Sequence, residues 1–193
     1  MSSDEPEGSI PRRRDPLTLE HRRLNMSRIR SRDTKPELII RRALHARGFR
    51  YRLHVRTLLG TPDIACPGRR SAIRVHGCFW HGHNCEGVTP ATNTAFWVDK
   101  IKRNQERDLA AGIALTARGW RVLTIWECAI TGRSRRSLPD VTDITQNWLT
   151  GDHDDREIAG DWPKQYAHER RHRENSRAAL RLVYIRRALA SES

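Results

Sequence analysis

The sequence predicts an α/β fold, a central mixed sheet flanked by helices, and two observations carry that reading. Segments with the apolar period of helices alternate with short apolar runs bounded by turn residues, in the order helix, strands, helix, strand, helix. The first helix also has a start and a stop signal, and the long one a stop signal, so the alternation is one of elements.

Residues 1–21 read as a disordered N-terminal tail with Pro6, Pro11 and Pro16, whose basic character rests on the run Arg12-Arg13-Arg14. Residues 17–32 (LTLEHRRLNMSRIRSR) suit either a short basic helix along DNA or a solvated lead-in. The folded domain is expected over 22–150. Thr34-Lys35-Pro36-Glu37 is a capping box with proline in the first turn, so a helix starts there. It runs through Leu38, Ile40, Ala43 and Leu44 to Gly48, and Glu37 has a structural use as the box glutamate. Phe49, Tyr51 and Leu53 then alternate with Arg50, Arg52 and His54, the period of a half-exposed strand. In Leu58 to Cys66 (LLGTPDIAC), Asp63 follows Pro62 directly into an apolar strand, where a sheet edge can hold a carboxylate rigidly.

After the turn at Pro67-Gly68-Arg69-Arg70, a strand from Ala72 to Val75 leads into His76, with Arg74 as an odd charge facing solvent or DNA. A long amphipathic helix is expected from Trp97 or Val98 to Arg118, with Val98, Ile101, Leu109, Ile113 and Leu115 inward. Its other face carries Lys100, Lys102, Arg103, Asn104 and Arg107. Gly119 ends it, Trp120 to Trp126 reads as a buried strand, and Glu127 and Cys128 follow. A short helix around Ile144 to Leu149 closes the domain. Residues 151–193 read as an appendage. Its acidic linker, 151–161, has five acids against one base, and a basic segment follows with Ala178, Leu182, Ile185 and Leu189 in a rough apolar stripe.

The net charge of +13 is what a protein that meets a polyanion carries. Residues 1–150 hold 27 basic and 15 acidic side chains and residues 151–193 hold 9 and 8, so the excess lies in the expected domain. No apolar run reaches the ~20 residues of a membrane span, and the chain is expected to be cytoplasmic and nucleoid-associated. Four cysteines at 66, 78, 85 and 128 are too few and too clustered for a secreted disulfide framework and suit a metal site.

The chemistry concentrates in His76 to Cys85, HGCFWHGHNC. Cys78-x4-His83-x-Cys85 offers three soft ligands, and Cys128 a fourth after a distant strand, the donor set of a structural zinc site. His81 could replace His83 in that set, and Cys66 is the spare, a buried residue at a strand end. Asp63 is a candidate ligand for a hard cation such as Mg2+. His76 and His81 are candidates to take a proton from an attacking water; His21, His45, His54 and the tail histidines read as ordinary surface or core residues. Phe79, Trp80 and Trp97 could be core, yet rings set among ligands and histidines are also what a protein inserts between weakly paired bases. Trp120, Trp126 and Trp148 read as core.

The blocks TPDIA, HGCFWHGHNC, FWVDKIKRNQERD and GWRVLTIWEC, in that order over roughly residues 22 to 150, resemble the very-short-patch-repair (Vsr) DNA mismatch endonucleases. The resemblance implies a restriction-endonuclease-like fold and Mg2+-dependent nicking of one strand, 5′ of the mispaired thymine in T·G mismatches left by 5-methylcytosine deamination. It implies that Asp63 binds Mg2+ with the main-chain carbonyl of Val75, that His81 is the general base assisted by His76, and that Glu37 lies near metal-bound waters. Zinc would sit on Cys78, His83, Cys85 and Cys128, and Phe79, Trp80 and Trp97 would form the intercalating wedge, beside Lys100 and Asn104 on the long helix. The implied partner is duplex DNA with a T·G mismatch, together with mismatch-repair proteins, for a monomer with no membrane association. Three features depart from pattern: the strand before His76 lacks the acid and lysine usual in this nuclease fold, Arg74 replaces an apolar residue, and the tail has no counterpart. The competing readings are a related Mg2+-dependent nuclease with a restriction or other lesion target, and a zinc-stabilised DNA-binding module without cleavage.

Overall fold

A computed structural model describes residues 20, 21, 24, 32–83, 85, 93–151, 154 and 156–161. Of the expected tail at 1–21, residues 1–19 lie outside the described residues, as does the stripe at 178–189. The chain divides into two compact units, residues 1–31 and 32–193. In the first, Glu20, His21 and Leu24 are helical; the second holds the architecture.

Its elements are α1 (Lys35–Ala46), β1 (Arg52–Leu53), β2 (Ile64–Cys66), β3 (Ser71–His76), α2 (Thr94–Ala117), β4 (Arg121–Trp126), α3 (Leu138–Thr150) and β5 (Arg156–Ile158). They build a mixed five-stranded sheet in the order β1-β2-β3-β4-β5. The β1–β2 and β2–β3 pairings are antiparallel, and β3–β4 and β4–β5 are parallel. The 3-10 turn at Pro67–Arg69 suffices to reverse the chain between β2 and β3. Parallel β3 and β4 need a crossover, which α2 supplies.

Both faces of the sheet are covered. Ile40 and Leu44 of α1 and Val141, Trp148 and Leu149 of α3 pack on Ile64, Ile73, Leu123 and Ile125. Leu115 of α2 packs on the opposite face, against Ala65, Ala72 and Val122. Strand residues alternate between faces, so Asp63, Arg74 and His76 fall with Ala65 and Ala72 on the α2 face. That parity assembles the site.

The ends of the helices follow sequence chemistry. Thr34 N–H donates to Glu37 at 3.3 Å within the expected capping box, and Ser137 Oγ accepts from Asp140 N–H at 3.2 Å to start α3. Arg121 of β4 donates to the carbonyls of Trp148 (3.0 Å) and Gly151 (2.5 Å), groups that the last turn of α3 leaves without a helical partner.

Some expectations shift. The long helix starts at Thr94, and Val98 is 54% exposed rather than inward, because the buried stripe runs through Ala111 and Leu115. The expected strand from Phe49 shrinks to Arg52–Leu53, whose Leu53 is 43% exposed; Phe49 and Tyr51 reach the core from outside any strand. The sheet also continues past residue 150, since β5 lies in the acidic stretch. No helix among the described residues is long and apolar enough to cross a membrane.

Candidate active site and metal centre

Asp63 stands just before β2, where pairing with β3 has not yet begun, and its Oδ2 accepts the Val75 N–H at 2.7 Å. Burial pushes the Asp63 carboxyl up, while the Val75 N–H and the nearby His54, Arg41 and His81 pull it back down. A desolvated carboxylate is a group that a hard cation would stabilise, so the residue fits the Mg2+ expected there. Without that cation the charge opposes folding. An acid with a raised folded-state pKa costs nothing below its unfolded value and the full penalty above its folded one. Asp63→Asn keeps the acceptor for Val75 and is therefore expected to raise Tm by about 2–4 °C at neutral pH in Mg2+-free buffer, the gain shrinking as pH falls toward the ordinary carboxylate range. A Tm difference that is absent or reversed at neutral pH would contradict this.

His76 ends β3, and the turn after it carries His81 back over it. The two imidazoles stack with centroids 3.8 Å apart and planes 10° apart. His81 Nδ1 lies 2.5 Å from Asp108 Oδ2, and His76 Nδ1 lies 3.9 Å from the same oxygen. Burial raises the Asp108 carboxyl, but the His81 hydrogen bond and the positive charges around it hold it below its ordinary value. A carboxylate fixing one ring nitrogen leaves the other as the basic one.

Asp108 was not assigned a role from sequence. Its signal was present, because Trp97, Ile101, Asn104, Asp108, Ala111 and Leu115 share one helical stripe. A carboxylate in an inward stripe is rarely there for packing. Arg74 faces neither solvent nor DNA alone; it turns under α2 and donates to the Asp108 carbonyl at 2.8 Å.

Glu37 is buried at 2% exposure and ion-paired with Arg41. His54 Nε2 comes within 3.3 Å of it and His54 Nδ1 within 4.0 Å of Asp63. The structure thus links Glu37 to Asp63 through His54, which the sequence pattern gives as an ordinary surface or core residue.

Cys78, His83, Cys85 and Cys128 each bring a donor atom to one point, all within 4.8 Å of one another. Three sulfurs and an imidazole at that spacing fit zinc. His83 fills the place for which His81 was an alternative, and Cys66 stays apart in the core beside Ile64 and Ile73. Cys128 Sγ receives Gly160 N–H at 3.4 Å and sits 3.6 Å from His83 Nδ1. Its hydrogen bonds with Cys78, His83 and Gly160, opposed by burial, bring its thiol down to about 4. Cys78, which shares that bond, is pushed up. A β-carbon at Gly160 would lie 2.6 Å from the Cys128 carbonyl, so the chain after β5 closes on the sulfurs only with glycine there.

Phe79, Trp80 and Trp97 form a half-buried cluster with centroids 5.0–5.8 Å apart, extended by the exposed Phe96. Lys100 Nζ lies 5.2 Å from the Trp80 ring and 5.5 Å from Trp97. Asn104 is engaged within the molecule: its amide donates to the Trp80 carbonyl at 2.8 Å, tying the turn to α2.

Residues 14–87 match the family model described as DNA mismatch endonuclease Vsr. The chain is 47% identical over 118 residues to the type II nicking enzyme V.XorIIP of Xanthomonas oryzae, covering 61% of this chain and 87% of that protein. It is 39% identical over 121 residues to the type II nicking enzyme V.NmeAIP of Neisseria meningitidis, covering 62% and 86%. With the DNA mismatch endonuclease Vsr of Escherichia coli it shares 40% identity over 129 residues, covering 66% and 83%.

Proposed function

We propose that this chain, which belongs to the Vsr family of DNA mismatch endonucleases, nicks one strand of duplex DNA 5′ of the mispaired thymine in a T·G mismatch. The observation that carries the reading is an imidazole oriented by a carboxylate, His81 on Asp108, near the desolvated Asp63. A DNA-binding module without cleavage has no use for that constellation.

Magnesium would be held by Asp63, and when bound would polarise the phosphodiester and steady the leaving oxygen. A strand residue's N–H and C=O point to the same edge. Val75, whose N–H meets Asp63, therefore aims its carbonyl to that side, which supports it as a second ligand. His81 holds its Nδ1 proton against Asp108 and takes a proton from the attacking water at Nε2. Asp108 stabilises the imidazolium that results, and the stacked His76 fixes the plane of the ring. Glu37 orients water around the site.

Selectivity comes from the aromatic cluster. Insertion of Phe79, Trp80 and Trp97 unstacks bases, which costs least at a weak pair. Lys100 and its neighbours on α2 meet phosphates, and Asn104 sets the height of Trp80. Zinc on Cys78, His83, Cys85 and Cys128 would pin the turn that carries His81.

The relatives named as type II nicking enzymes favour a second reading, the same nick confined to a mismatch within one short recognition sequence. Duplexes differing only in T·G against C·G, each in several flanking sequences, separate the two. The expected result is one nick, in the T·G strand, with Mg2+ and none with EDTA. Nicking in a single flanking context selects the second reading, and equal cutting of both duplexes overturns mismatch recognition.

A further inference from the structure

We infer that Arg41 and His54 are positioning residues for the nicking reaction, holding Glu37 and Asp63 at a fixed separation across the gap between α1 and β2. The inference rests on Asp63 serving the reaction.

Arg41 is 7% exposed on the inner side of α1. Its Nη1 donates to Asp33 at 2.5 Å, and its Nη2 is bonded to Glu37 and lies 2.7 Å from His54 Nε2. A guanidinium can only donate, so His54 Nε2 accepts and the ring proton sits on Nδ1. That nitrogen is the one facing Asp63 Oδ1 at 4.0 Å. The backbone repeats the link, since His54 N–H donates to the Asp63 carbonyl at 3.4 Å. One line of polar contacts therefore runs from Asp33 through Arg41 and His54 to Asp63.

Packing does not account for it. A buried arginine–glutamate pair is commonly no more stabilising than apolar side chains of the same volume. His54 also holds a left-handed backbone at φ +46°, a costly conformation for a residue with a β-carbon. Asp33, Glu37 and His54 have donor atoms close enough for a metal ion, but the Arg41 guanidinium lies among them and supplies the positive charge. Glu37 thus has its partner in Arg41 and does not draw the divalent cation away from Asp63.

Two readouts on the zinc-loaded full chain test this. Long-range 1H–15N spectra without Mg2+ are expected to show His54 protonated on Nδ1 in the wild type. In Arg41→Met the proton is expected on Nε2, where Glu37 can then accept it. In nicking assays, Arg41→Lys and His54→Ala are expected to lower kcat by about 10- to 100-fold with KM for the duplex nearly unchanged. They should also raise the Mg2+ concentration for half-maximal rate, and His54→Gln, which keeps an acceptor and a donor, should recover most of the loss.

A wild-type His54 protonated on Nε2, or wild-type kcat in both Arg41→Lys and His54→Ala, overturns the inference. Nicking by neither wild type nor variants overturns the reading of Asp63 instead, and the spectra still judge the Arg41–His54 link. Circular dichroism separates a misfolded Arg41→Met from a folded one, and Arg41→Lys, which keeps the charge, carries the test if that variant unfolds.

Discussion

Asp63→Ala is expected to reduce single-turnover nicking of a T·G duplex on the order of 10³-fold or more, with duplex affinity changed little. Asp63 is the carboxylate assigned to the divalent cation, and losing a metal's charge stabilisation costs several kcal/mol, each ~1.4 kcal/mol being tenfold in rate. The proposed DNA contacts are phosphates and the rings on the turn and α2, none of which Asp63 supports. His81→Ala removes the proposed proton acceptor and should cost about 10²- to 10⁴-fold. Asp108→Asn should cost less than His81→Ala, because the asparagine oxygen can still accept the Nδ1–H hydrogen bond but carries no charge to oppose the imidazolium. Rapid-quench measurement decides the matter, and an Asp63→Ala enzyme keeping a tenth of the wild-type rate would remove Asp63 from the chemistry. The same residue is expected to stabilise the metal-free fold when neutralised to asparagine, a trade of stability for function.

Cys128→Ser is expected to lose stoichiometric zinc and to lower Tm by about 10 °C or more. The sulfur accepts the Gly160 N–H at 3.4 Å and lies 3.6 Å from His83 Nδ1, within reach of Cys78 and Cys85. A serine hydroxyl is a far poorer zinc ligand. Cys66→Ser is the control, as buried as Cys128 but outside the cluster, and it should keep its zinc while losing some stability. Metal analysis of the purified variants checks both. Full zinc in Cys128→Ser would dissolve the ligand set.

Much of this was legible in the residues, for identifiable reasons. The capping box at Thr34, the glycine after α2 and the apolar run of β4 are local signals, and their elements lie where those signals place them. The sulfur cluster was readable because ligand spacing along one turn is itself a local property. What stayed hidden depends on contacts distant in sequence. β5 has one apolar residue, Ile158, and forms because β4 offers an open edge and Glu157 can bond the Trp126 indole. Asp108 was masked by the other charges of α2 until the stripe containing Leu115 and Ala111 was seen to face the sheet. His54 looked ordinary because nothing in its neighbourhood along the chain announces Arg41, thirteen residues earlier.

Gly82 alone separates the proposed base from the proposed zinc ligand His83. It has φ +62°, and a β-carbon there would come within 2.4 Å of the Gln105 amide and 2.7 Å of Ile101. No slack exists between the two functions, so an insertion or deletion in this turn would be felt at once by hydrolysis and by metal retention. The length of this segment is accordingly the least negotiable dimension of the molecule, and any redesign of its cutting behaviour has to begin elsewhere along the chain.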